Sequence, residues 1–257
     1  MKIQYVIGIL AVLCNFSIYA ADLDRATIES LLAKATDKQL ADLRRKDLTD
    51  LDLSGLDFSH ADLWGSDLRR SNLSKSNLSG LNLDLTVMTK INLSDANLSN
   101  TSIFGVSMIG ANLSKANLTH SRFIANLDRA NLSHADLRDA DWGVDMKNQP
   151  MGLMRVSLNS VDLSGANLSN ANLNRALLRH ANLTGTVLRN TIFFGSDLSG
   201  ADFSNADLSG ADLSGCNLTD TNFSGSNLAG TRFSDIKDKS QLKGLESSKN
   251  VDSAIFN

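Results

Sequence analysis

The chain predicts an all-β solenoid, a coil of short strands, and three observations lead there. First, thirty-seven apolar positions recur every five residues in three phased runs: Leu43 to Phe123, Leu127 to Trp142, and Leu158 to Phe233. A strict period of five fits neither a plain helix nor a plain strand, so it marks a repeat architecture. Second, the position two before the central apolar residue is small in most repeats, as at Ala61, Ala96, Ala116, Ala166 and Ala211, and elsewhere is often Ser or Thr. Alternate residues of a strand share a face, so this small residue points the same way as the central one. Third, Ser, Gly, Asn, Asp and Lys gather at the two positions after it. Five is odd, so a straight strand would turn the next leucine outward. A bend at those two positions, where turn-compatible residues concentrate, keeps every leucine on one side.

Segments such as ANLSKANLTH, ADFSNADLSG and VDLSGANLSNANLNRALLRHANLTG carry this pattern, and over about residues 41–233 the chain resembles the pentapeptide-repeat family. The resemblance implies a right-handed, quadrilateral parallel β-helix with one repeat per side and twenty residues per turn. Thirty-seven repeats would then make roughly nine coils, a rod of order 40 Å at ~4.8 Å between strands.

The flanks read differently. Residues 1–20 resemble a cleaved secretory signal: Lys2 precedes the apolar Ile3–Leu13, and Ser17 to Ala20 leads into the polar Asp22. Export to the periplasm or beyond the cell is therefore expected, with no stable membrane anchor after cleavage. Residues 21–40 form an N-terminal cap, in which 24–35 is an amphipathic helix presenting Ile28, Leu31 and Leu32. Residues 234–257 form a C-terminal cap, with a helical turn near Leu242 and Leu245 and a last strand near Ile255. Both cover coil ends that would otherwise expose core and unpaired backbone.

The register breaks twice. Phe123 to Leu127 is one residue short and Trp142 to Leu158 is one long, so Phe123 to Leu158 spans thirty-five residues, or seven repeats. This arithmetic predicts that the phase is restored by Leu153, with a loop near 143–152 that holds Pro150, the only proline.

Composition bounds function. Without Lys2 the chain has 24 basic and 28 acidic residues, a net charge of −4, mild for a nucleic-acid binder or a polyanion mimic. After signal cleavage one cysteine remains, Cys216, at a small-residue position that predicts a packed thiol. Ten Asn-Leu-Ser/Thr sequons, from Asn72 to Asn217, are by-products of the repeat, and their density argues for a bacterial envelope protein. His60, His120, His134 and His180 fall at corners without ligand partners at metal-binding spacing, and no serine has an evident base. No catalytic, cofactor or metal site is expected.

Residues before the central position should stack every twenty residues, as in Asp52-Asn72-Asn92-Asn112 and Asp57-Asn77-Asn97-Asn117, forming amide ladders. Asp47 to Asp67 and Asp197 to Asp212 would make two acidic collars. The polar exterior fails in two places. Trp64, Phe104 and Ile124 fall in one column near Leu85 and Val87, and Leu177, Val187, Ile192 and Phe194 gather around TVLRNTIFFG. Gathered outward apolar groups indicate contact, with the 143–157 loop, a twin subunit or a distinct protein. Trp64, Phe104, Leu177, Ile192 and Phe194 are the candidate interaction residues of a non-enzymatic scaffold. The resemblance also implies an alternative: some family members mimic a DNA duplex and bind DNA gyrase. The export signal and the interspersed Lys and Arg oppose it.

Overall fold

The computed structural model describes residues 21–144, 154–236 and 242–256. The expected signal, Leu153, Pro150 and most of the expected loop lie outside them. Within them, all thirty-seven central residues are buried, none more than 3% exposed. They line one axis, where Phe193, Phe203, Phe223, Phe233 and Phe256 form a continuous aromatic stack with centroids 4.7–6.0 Å apart. Phe123 stacks on Trp142 at 4.7 Å, and the Trp142 indole N–H donates to Ser121 Oγ.

Parallel bridges join residues twenty apart, and successive bridges are five residues apart, so each coil has four sides. The first side carries Asp67, Val87, Ser107, Asn126, Ser157 and Leu177. The second carries Asp52, Asn72 and Asn92, and the third Asp57, Asn77 and Asn97. The fourth carries Asn82, Ser102, Arg122, Asp141, Asn172 and Ile192. Each side contributes only one or two bridged residues per coil, so extended strands are few: β1 (Ala41–Asp42), β2 (Ala61–Asp62), β3 (Ser102–Ser107) and β4 (Arg122–Asn126).

A typical corner is a β-turn closed by a bond such as Ala96 N–H to Leu93 O, 3.1 Å. Its third residue has φ near +60°, as at Asp95 and Lys115, which is why Gly, Asn, Asp and Lys concentrate there. The residue before the leucine reinforces the corner. Asn97 Oδ1 accepts the Ser99 N–H and the Asn117 amide, while its own amide donates to Asn77. Apart from Ser66, buried hydroxyls at the small position are satisfied by carbonyls, as Ser76 Oγ is by Leu73 O. Cys216 belongs to this set: its thiol donates to Phe193 O, and burial pushes its pKa up to about 12, so it stays protonated.

The aspartate collars prove to be corner parts. Asp47 and Asp57 lie below their ordinary range because the Thr49 and Ser59 backbone N–H groups donate to them. The Arg138 side chain does the same for Asp136. At Asp197 and Asp207 burial opposes the charge, and hydrogen bonds from Ser199 and Ser209 with Arg179 and Arg189 overcome it. A carboxylate with a depressed folded pKa contributes stability above its unfolded pKa and loses it as pH falls. The urea midpoint should therefore be flat from about pH 7 to 5 and drop below about pH 4. A midpoint unchanged at pH 2.5 would show these bonds to be energetically idle.

The ends are closed. Helix α1 (Arg25–Leu32) starts at Asp24, which accepts the Thr27 N–H, and buries Ile28 in the core. Arg25 ties it to the first coil through Asp52 O and Ser54 O. At the far end, Lys243, Lys249 and Ile255 bridge to Asn222, Asn227 and Arg232, and Leu245, Val251 and Phe256 pack on the core.

The register breaks do not cancel as their arithmetic predicts. Asn112 pairs with Asn131, which makes a nineteen-residue coil, and Asp141 pairs with Asn172, which makes one of thirty-one. Phe123 to Leu158 thus spans five sides, not seven repeats, because the sixteen residues from Trp142 to Leu158 advance the coil by a single side. The short step is absorbed by a bulge: Phe104 pairs with Ile124 and Val106 with Ala125, leaving Gly105 unopposed.

Candidate interaction surface

These unequal coils decide which outward residues meet. Counted at twenty per turn, Phe104 and Phe194 are four and a half coils apart and would face opposite ways. The nineteen- and thirty-one-residue coils place them instead in one column of the fourth side, running Trp64, Asp84, Phe104, Ile124, Gly143, Asn174, Phe194. Ile192 occupies the same side, and Leu177 the adjoining first side. The two clusters read from the sequence are therefore one edge, with Phe104 and Phe194 four coils or roughly 19 Å apart. Trp142 and Leu158 stand on the fourth and first sides, which meet at this corner.

The candidate residues differ in exposure. Phe104, Ile192 and Phe194 are 37%, 41% and 45% exposed, whereas Trp64 and Leu177 are half-buried. Val187 lies elsewhere, on the third side. Ile124 is buried, as is Val144, though neither belongs to the axial core.

Leu85 and Ile109 complete the surface. Leu85 is 53% exposed and holds φ +60°. Among the described non-glycine residues in that conformation it alone is apolar; the others are polar or charged. A left-handed leucine costs roughly 1 kcal/mol, and its exposure returns none of that through packing. Its place at the fourth corner, one coil before Gly105, makes it part of the edge rather than of the scaffold. The sequence signal was present: a leucine where the repeat demands a turn residue.

The wall has one lapse. Among the described residues, the fourth side joins 61–63 to 81–83 by neither of its usual backbone bonds. Leu81 stands there in the small-residue position. Neighbouring bonds are stretched: Gly65 N–H to Asp84 O is 3.3 Å and Leu85 N–H to Phe104 O is 3.4 Å, against 2.9 Å for the equivalent bond at Asp95. A cleft of about 480 Å³ opens here, lined by Leu40, Arg44, Asp62, Trp64, Leu81 and Asn82. The two buried side-chain oxygens without partners among the described residues, Ser66 Oγ and Asp84 Oδ1, lie in the same two coils.

No group of three or more His, Cys, Asp or Glu is placed to hold a metal among the described residues. His60 pairs with Asp37 at 3.0 Å, joining the N-terminal cap to a corner, and His134 and His180 lie over Gly165 and Gly200 of the next coil. No helix among the described residues is long and apolar enough to cross a membrane.

Four sides, a leucine-lined axis and asparagine ladders define a quadrilateral parallel β-helix. The family model described as pentapeptide repeats matches residues 52–89, 91–124, 125–142, 157–195 and 196–235, and the chain belongs to that family. It is similar to HetL, a pentapeptide-repeat protein involved in heterocyst differentiation regulation from the cyanobacterium Nostoc sp. strain PCC 7120. The two are 31% identical, over 81% of this chain and 86% of HetL, with a TM-score of 0.32. A trypsin-treated form of QnrB1, a plasmid-mediated fluoroquinolone resistance protein, is 20% identical over 74% of this chain and 89% of its own, with a TM-score of 0.39. A pentapeptide-repeat protein of the Arabidopsis thaliana thylakoid lumen is 25% identical over 48% and 86%, with a TM-score of 0.25. Among curated proteins no relative matches.

Proposed function

We propose that this protein is a non-enzymatic, exported bacterial scaffold that engages another protein through the edge between its fourth and first sides. The observation that carries the reading is the alignment of Trp64, Leu85, Phe104, Ile192 and Phe194 along one edge of the rod. Apolar side chains gathered this way mark contact surfaces. Export rests on the character of residues 1–20. The duplex-mimic alternative gains nothing from the aspartates, whose oxygens serve corner N–H groups and neighbouring arginines. The test is cross-linking in the intact envelope, comparing wild type with Phe104→Glu/Phe194→Glu. The reading requires mature protein in the exported fraction and cross-links that the double variant loses. Cytosolic retention, or cross-links indifferent to both charges, would refute it.

A further inference from the structure

The lapse in the fourth side sits beside an arrangement with its own chemistry. Trp64, Asp84 and Phe104 occupy the same outward position in three successive coils. Trp64 and Phe104 are thus two coils, roughly 10 Å, apart, with the carboxylate between them. Two aromatic rings at that separation leave room for one flat cation.

The Trp64 ring already shows what it prefers. The Arg45 guanidinium, from the preceding coil, lies over it with Cζ 5.0 Å from the ring centroid. The next coil presents Asp84 instead of a cation, and its buried Oδ1 has no partner. Nearby basic groups are committed elsewhere: Arg44 is held by Asp42 and Asp62, and Arg70 by Asp50. A buried carboxylate oxygen without a donor is costly and calls for one. The adjoining cleft, lined by Trp64 and the half-buried Asp62, offers space for the chain carrying that donor.

We infer that Trp64, Asp84 and Phe104 form a receptor for a basic side chain, arginine above all, presented by the partner protein. The guanidinium pairs with Asp84 and lies between the two rings, repeating the Arg45–Trp64 contact one coil on. This rests on the reading of the edge as a protein-binding surface and assigns the chemistry of what it binds. Arginine suits the place better than lysine because its planar group both stacks and hydrogen-bonds.

The test uses the mature protein and the capped peptide acetyl-Gly-Arg-Gly-amide, with the citrulline peptide as its uncharged isostere. The readout is the indole N–H resonance of Trp64, with the buried Trp142 as internal reference. The arginine peptide should shift Trp64 saturably and leave Trp142 in place. The citrulline peptide, and the Asp84→Asn variant, should bind at least about tenfold more weakly. Asp84→Asn keeps the shape of the side chain, so folding is not at stake, and an unchanged Trp142 resonance verifies it. Equal responses to arginine and citrulline, or full binding by Asp84→Asn, would overturn the inference. If the arginine peptide fails while Phe104→Glu/Phe194→Glu still abolishes envelope cross-links, the cationic assignment falls and the edge stands. If the peptide binds as expected and the cross-links persist, the receptor stands and the wider edge falls.

Discussion

Replacing Phe203 with alanine should lower stability by about 3–5 kcal/mol, the range for emptying a buried phenylalanine site. The residue is fully buried, lies edge-on to Phe193 at 6.0 Å and stacks on Phe223 at 5.4 Å. Side chains stacked along an axis cannot collapse sideways into the space it leaves, because the walls are fixed by backbone ladders above and below. Stability in a solenoid is the sum of neighbour contacts, so the loss loosens the coils on both sides of Phe203 and propagates toward Phe233 and Phe256. Urea unfolding followed by circular dichroism measures it. A shift equivalent to less than 1 kcal/mol would mean that the aromatic stack fills space without holding the C-terminal coils together.

Charging both Phe104 and Phe194 should reduce recovery of the cross-linked partner at least about thirtyfold, the effect of losing a hot spot of 2 kcal/mol or more. Both rings already face solvent, so a glutamate at either place removes little packing, and the urea midpoint should stay near that of wild type. Neither substitution touches the axis or the amide ladders. The control for each single substitution is Asn100→Glu, which adds one negative charge at an exposed corner after the third side and should leave recovery intact. Equal loss from the control would reduce the effect to general charge repulsion. Because the two phenylalanines are four coils apart on one edge, either single variant should have an intermediate effect if one partner spans both.

Much of the scaffold was legible because the repeat writes each physical requirement once every five residues. Leu98 had to face inward, Asn97 had to find Asn77 and Asn117, and Asn100 had to turn, and each does so. The edge was legible only in fragments. Trp64 and Phe104 shared a column by simple counting, but Phe194 did not, since its column depends on where the lengths of two irregular coils fall. Spacing between Trp142 and Leu158 records how many residues intervene, not how many sides they turn. Only the pairing of Asp141 with Asn172 distinguishes one side from three. The cleft was hidden for a related reason. Leu81 and Ile91 both replace a small residue, yet Asn92 keeps its bridge to Asn72 while Asn82 has none to Asp62. The difference lies in how each side chain packs in three dimensions. The acidic collars were visible as charge but misleading as surface, because the backbone N–H groups that hold them belong to the turns.

The most direct measurement of the account is thiol labelling across one repeat of the folded rod. Ala96, Leu98 and Asn100 are replaced by cysteine one at a time, with the native Cys216, buried and held protonated, as the built-in protected thiol. The account predicts fast labelling at position 100 and protection at 96 and 98 equal to that of Cys216 until urea unfolds the chain. Labelling at position 98 as rapid as at 100, with the circular dichroism spectrum unchanged, would contradict it.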